Sequence, residues 1–165
     1  MQNHLICYNN IYFGARTGWQ NRLLSYNLIN AKVSKDGWHH VAVSFNASNR
    51  MAVLYLDGLK VSEGVLPAYS RSGNNAQVFI GRNNNQAGWR GKLDNVRIWN
   101  VTRTSNQVRD NYEKDMPSDT NGLVGNWIMN EGTGTTVTDT GGSAQNGTFS
   151  GGVSWTTESH PTSGI

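Results

Sequence analysis

A single cysteine, Cys7, among 165 residues excludes an intrachain disulfide framework and a metal–thiolate cluster, both of which need more than one thiol. Charge is equally sparse. Only 15% of residues are Asp, Glu, Lys or Arg, and 14 basic against 11 acidic residues leave a net +3. With no run of Lys or Arg behind it, the pI of 9.2 gives little support to nucleic-acid or membrane-surface binding. No stretch approaches the roughly 20 consecutive apolar residues that cross a bilayer, so membrane insertion is not expected. No basic-then-apolar leader opens the chain. Helix formers are few, alanine numbering nine.

What the sequence does hold is 19 glycines, 21 asparagines and 10% aromatic residues. Turn residues spaced between short aromatic and β-branched runs suit an all-β sandwich or barrel, whose strand pairs must be closed by residues tolerating positive φ. The length is that of one domain with a sizeable core, placed here at residues 1–157 with 158–165 as a tail.

The clearest hairpin runs from Met51 to Glu63, with Asp57-Gly58 as a two-residue turn. Upstream, Trp38 to Phe45 alternates, and Val41, Val43 and Phe45 form the expected core face. Ile11-Tyr-Phe and Arg22 to Leu28 predict a longer hairpin with Trp19 near its tip. Gln77 to Ile80 and Leu93 to Trp99 are expected to pair around the polar segment Arg82 to Arg90. Either face of the second of these strands could be the inner one. One helix is expected from Thr104 or Ser105 to Lys114, with Val108 and Tyr112 as its apolar stripe. Leu123 to Met129 reads as a strand, followed by short segments at Asn146 to Phe149 and Val153 to Trp155.

Five motifs, in order, resemble a known family: Gly37-Trp-His-His-Val-Ala-Val, Leu54-Tyr-Leu-Asp-Gly, Phe79-Ile-Gly, Gly91-Lys-Leu-Asp-Asn-Val-Arg-Ile-Trp and Gly122-Leu-Val-Gly-Asn-Trp. Together they are similar to the laminin-G-like, pentraxin-like domains of the concanavalin A-like lectin/glucanase superfamily. The resemblance implies a jelly-roll β-sandwich of two antiparallel sheets with one short helix. The closing segment from Trp127 to Thr140, with Asn146 and Trp155, resembles the strand-loop-strand that completes such domains in many bacterial surface proteins. The family usually opens with a further strand pair ahead of the part matching His4 to Phe13, and this sequence does not supply it. The chain is then a fragment, a trimmed sandwich, or one that takes a strand from a neighbouring molecule, since an exposed edge is a template for pairing.

The resemblance also raises calcium. Pentraxin-like members hold it in the loop matching Asn83-Asn-Asn-Gln86, where this sequence has amides only, and calcium wants several hard oxygens including carboxylates. Other members carry a structural calcium, for which Asp94 and Asp139 are the expected ligands here. The ordinary alternatives are a strand-end residue bonding a loop backbone and a turn aspartate.

Catalysis lacks its residues. Superfamily glycanases present two carboxylates at alternate positions of one strand. The acidic pair two apart is Glu113 and Asp115, at the end of the expected helix, where i and i+2 do not share a face. His39 and His40, adjacent in a strand, must point to opposite faces and read as sheet histidines. Cys7 reads as a small buried apolar residue. The chain is therefore expected not to be an enzyme.

Six tryptophans remain to be sorted. Trp38, Trp99, Trp127 and Trp155 lie in strand patterns and should pack, whereas Trp19 and Trp89 lie in polar loops. An exposed loop aromatic can stack on a pyranose ring while amides and guanidinium groups read its hydroxyls. The candidate binding site accordingly comprises Trp19, Tyr69, Arg71, Arg82, Asn83, Asn84, Asn85, Trp89 and Arg90. Solvated turn residues, and tryptophans folded back on the sheet, are the plain alternative. Three Asn-x-Ser/Thr sequons, at Asn46, Asn100 and Asn146, are expected by chance in so Asn-rich a chain.

The expected function is a non-catalytic carbohydrate-binding or adhesion module of an extracellular or cell-surface protein, its partner a glycan or polysaccharide. The rival is a structural module that binds other protein chains by strand pairing at an open sheet edge. A third reading is an accessory domain that targets a glycanase.

Overall fold

Asp57 and Gly58, both at positive φ (50° and 75°), make the two-residue turn that their sequence demands, because a right-handed hairpin closes best with two left-handed residues. They belong to a computed structural model that describes residues 10–13, 24–28, 31–34, 37–68, 77–81 and 89–158. The chain divides into two units, residues 1–91 and 92–165.

In the first unit, β1 (Asn10–Phe13) and β2 (Leu24–Asn27) pair antiparallel, as the hairpin reading predicts. β3 (Val41–Asn46), β4 (Met51–Leu56) and β5 (Leu59–Val65) form an antiparallel meander. Two asparagines shape the β3–β4 turn: Asn46 Oδ1 accepts the Ser48 N–H and Asn49 Oδ1 the Met51 N–H, each at 3.0 Å. Leu24, Ala52, Leu54, Leu56 and Leu66 form the buried core, and Val41, Val43 and Phe45 pack against it from the expected face of β3. A leucine buried this completely contributes about 1.5–3 kcal/mol relative to an exposed one. Tyr55, on the other face of β4, is buried as well, which is why this strand reads as a continuous apolar run. Gly64 of β5 lets β2 approach, since a Cβ there would lie 3.1 Å from Leu24 Cδ2.

The expected pairing of Gln77–Ile80 with Leu93–Trp99 is not what forms. Among the described residues Gln77–Ile80 is no strand, and Val78, Phe79 and Ile80 are exposed. Instead β6 (Val96–Trp99) pairs with β7 (Leu123–Trp127), in the second unit. Gln77–Ile80 lies near Leu93–Trp99 in sequence, but no tight-turn signal stands between them to fix a pairing.

Between β6 and β7 stands α1 (Ser105–Arg109). Thr104 caps it in a capping box: its hydroxyl accepts the Gln107 N–H at 3.2 Å and the Gln107 amide accepts the Thr104 N–H at 2.9 Å. The helix stops at Arg109, short of the expected Lys114. Asn111 ends it, its side chain donating to Gln107 O at 2.8 Å and accepting the Ser118 N–H at 2.9 Å, so local side-chain bonds replace the next turn. Arg103 lies 4.0 Å from the Trp99 ring centroid and pairs with Asp119 at 3.1 Å. The Asn121 N–H, then Arg103, hold the Asp119 carboxyl below the usual carboxylate range.

The inner face of the Leu93–Trp99 stretch was ambiguous for a structural reason: all of β6 is half-buried. Asn95 and Arg97 reach the chain after α1, Asn95 donating to Lys114 O and Asp115 Oδ1 at 3.1 Å and Arg97 to Asn111 O at 3.1 Å and to Lys114 O. Burial lowers the Arg97 pKa, against the pull of Asp115. β8 (Thr136–Val137) and β9 (Gly147–Thr148) complete the unit. Among the described residues every strand pairing is antiparallel and α1 is the one helix, so the protein is of the expected all-β class with a short helix.

Candidate functional site

Of the described residues that flank the polar segment singled out in the sequence, Trp89 donates its N–H to Gly81 O at 2.6 Å. Gly81 makes the bend at φ 77°. Trp89 is 41% exposed and Arg90 is exposed beside it. Just before Gly81, Phe79 and Ile80 are exposed too, a large apolar surface left in water. Gly91, at φ 150°, makes room for the indole: a Cβ there would lie 2.9 Å from Trp89 Nε1. Trp89 is thus a partly exposed aromatic whose indole rests against Gly91, followed in sequence by an exposed arginine. Trp19, Tyr69, Arg71, Arg82, Asn83, Asn84 and Asn85 lie outside the described residues.

The other tryptophans pack. Trp127 is buried, its Nε1–H donating to Gln145 O at 2.9 Å. Trp155 donates to Gly134 O at 2.9 Å and sits 4.9 Å from Phe149, ring to ring, without forming the short strand expected of it. Trp38 and Trp99 are half-buried.

Of the two carboxylates suspected of binding calcium, Asp139 is buried and has another task. Its Oδ1 accepts the N–H of Asn126 and of Gly141, both at 2.8 Å, and its Oδ2 accepts that of Gln145 at 2.9 Å. Burial alone would raise its pKa, and the three N–H donors outweigh it, leaving the carboxyl below its ordinary value. Asp94 is half-buried, three residues after Gly91. Among the described residues no three His, Cys, Asp or Glu side chains gather as a metal set. Both oxygens of the Asp139 carboxylate are thus committed to backbone N–H groups.

Sequence reading missed the role of Asp57. Besides making its turn, it accepts the His40 N–H and meets His39 Nδ1, each at 2.8 Å, while His39 Nε2 lies 2.9 Å from Ser34 O. An aspartate ahead of a turn glycine signals the turn, and nothing local signals a bond to residues 17 and 18 positions earlier. No described strand carries two carboxylates at alternate positions, and Glu113 and Asp115 lie in the turns after α1.

Comparison with known proteins follows the same lines. A family model described as the Concanavalin A-like lectin/glucanases superfamily matches residues 8–109, more than half the chain. A crystal structure of a proposed carbohydrate-binding protein from Bacteroides ovatus superposes with a TM-score of 0.57 at 23% identity, covering 83% of this chain. This chain spans 39% of that one's length. An S-layer domain-containing protein from Clostridium thermocellum gives a TM-score of 0.42 at 18% identity, over 61% of this chain and 50% of the other. No curated protein sequence matches. Among the described residues no helix is long and apolar enough to cross a membrane.

Proposed function

The chain belongs to the Concanavalin A-like lectin/glucanases superfamily, and from that membership we propose that it is a non-catalytic, lectin-like carbohydrate-binding module of an extracellular or cell-surface protein. The observation that carries the reading is Trp89. A 41% exposed tryptophan leaves apolar surface in water unless a ligand covers it, and here the backbone bond to Gly81 fixes the chain at Trp89 while the missing side chain at Gly91 leaves room for its indole. Its ring would take the C–H face of a pyranose, and the Arg90 fork would donate to hydroxyl or acidic substituents. A rigid sheet carrying a binding loop is the usual division of labour in such modules. The solved Bacteroides relative, itself proposed to bind carbohydrate, is similar in fold. Nothing in the described donor set calls for calcium, and the reading does without it.

A second reading, assembly with other protein chains through an open edge, draws on Val78, Phe79 and Ile80, three successive exposed apolar residues outside any described strand.

A glycan-array screen of the folded chain, with calcium and again with chelator, tests the proposal. Chelator-insensitive binding to one sugar class, lost in Trp89→Ala, is the expected result. Failure of a folded protein to bind any glycan, together with sedimentation as a large species, would replace it with the assembly reading.

A further inference from the structure

We propose that the Trp89–Arg90 site takes an acidic polysaccharide, one bearing carboxylate or sulfate groups, in preference to a neutral one; this rests on the carbohydrate-binding reading above. The ground is how charge divides along the chain. Residues 1–91 hold nine Lys and Arg against three Asp and Glu, a net of +6. Residues 92–165 hold five against eight, a net of −3. The modest overall charge therefore conceals one basic unit and one acidic unit. A concentration of one sign raises the local concentration of oppositely charged ligand and speeds its capture.

The basic unit is the one that contains the exposed tryptophan. Its two described carboxylates are already engaged: Glu63 with Lys60 at 3.2 Å, and Asp57 with His39 and the His40 N–H at 2.8 Å. Arg90, exposed and next to Trp89, has no ion pair among the described residues. A guanidinium binds a carboxylate or sulfate through two parallel N–H bonds, whereas a hydroxyl engages it singly and without charge. Stacking on Trp89 and a fork on Arg90 thus match a sugar ring carrying an anionic group. Nucleic acid shares the charge but needs a row of stacking aromatics along a cationic groove, and among the described residues this site offers one tryptophan followed by one arginine.

Matched polymer pairs test this with the full chain: polygalacturonate against its methyl ester, and dextran sulfate against dextran, with oligo-dT alongside. Affinity electrophoresis or calorimetry at low and at about 0.5 M salt gives the readout. The expected result is binding about tenfold tighter to an acidic member than to its neutral twin at low salt, the advantage shrinking as salt rises. Whichever pair shows it distinguishes carboxylate from sulfate. Arg90→Gln should remove about tenfold for the acidic polymer with an unchanged melting temperature, while Arg109→Gln, an equal charge loss on the acidic unit, should leave affinity unaltered. Salt-insensitive, equal binding within both pairs would overturn the acidic preference and leave the carbohydrate reading standing. Tighter binding to oligo-dT, or equal losses from both variants, would reduce the effect to unspecific electrostatics and overturn it too. Binding to none of the glycans by folded protein would overturn the carbohydrate reading itself.

Discussion

Asp139 accepts the backbone N–H of Asn126 at 2.8 Å, thirteen residues back, and with the same carboxylate caps Gly141 and Gln145. One buried charged side chain thereby ties β7 to the loop that follows it. Asp139→Ala should cost about 3 kcal/mol, because three backbone N–H bonds, one of them fully buried, lose their acceptor. The folded carboxyl sits below its ordinary pKa. Its stabilisation is complete above the unfolded value of about pH 4 and is lost as pH falls through the lower folded value. Denaturant melts of wild type and Asp139→Asn from pH 7 to pH 2 should show the gap between them closing below about pH 4. A gap independent of pH would assign the loss to shape alone.

Trp127 lies over Gly125, so close that a Cβ at 125 would come within 2.3 Å of the indole. Gly125→Ala should therefore displace a core tryptophan and break its bond to Gln145 O, destabilising by about 1–3 kcal/mol. Thermal melts read the loss, and near-UV circular dichroism reads the displaced ring.

At Gly91 the same geometry gives a different outcome, since the neighbouring ring is partly exposed rather than enclosed in the core. Gly91→Ala meets Trp89 Nε1 at 2.9 Å and a φ of 150° that side chains avoid. The expected cost in stability is only about 1 kcal/mol, while tryptophan fluorescence shifts and glycan affinity falls. Unchanged affinity would mean that the ring's orientation does not matter to the ligand.

Thr104→Ala removes one half of the capping box of a five-residue helix. A loss of about 1 kcal/mol is expected, largely recovered in Thr104→Ser, which restores the hydroxyl. Chemical denaturation of the three proteins decides it.

The legibility of the sequence followed the range of the interaction. The Asp57-Gly58 turn, the Val41, Val43, Phe45 face and the Thr104 cap were each readable because their causes lie within a few residues. The Leu93–Trp99 stretch was ambiguous because Asn95 and Arg97 on one face are half-buried as polar groups bonded to the chain after α1, which blurs the alternation that marks a core strand. Asp139 drew attention as a carboxylate and proved to be a backbone cap, since its donors come from residues whose nearness no spacing rule predicts. In the candidate site, Trp89 was identifiable as a large aromatic in a polar loop, and its exposure and its bond to Gly81 were not.

The sequence by itself determined an all-β chain, its local turns and a large aromatic set among polar residues, because pattern and turn chemistry act between near neighbours. Tertiary structure alone decided that β6 pairs with β7 across the intervening helix, that Trp127 is buried while Trp89 stays exposed, and that the Asp139 carboxylate serves the backbone. Those outcomes depend on which distant groups compete for the same surface and the same hydrogen bonds, and that competition is resolved only when the chain is folded.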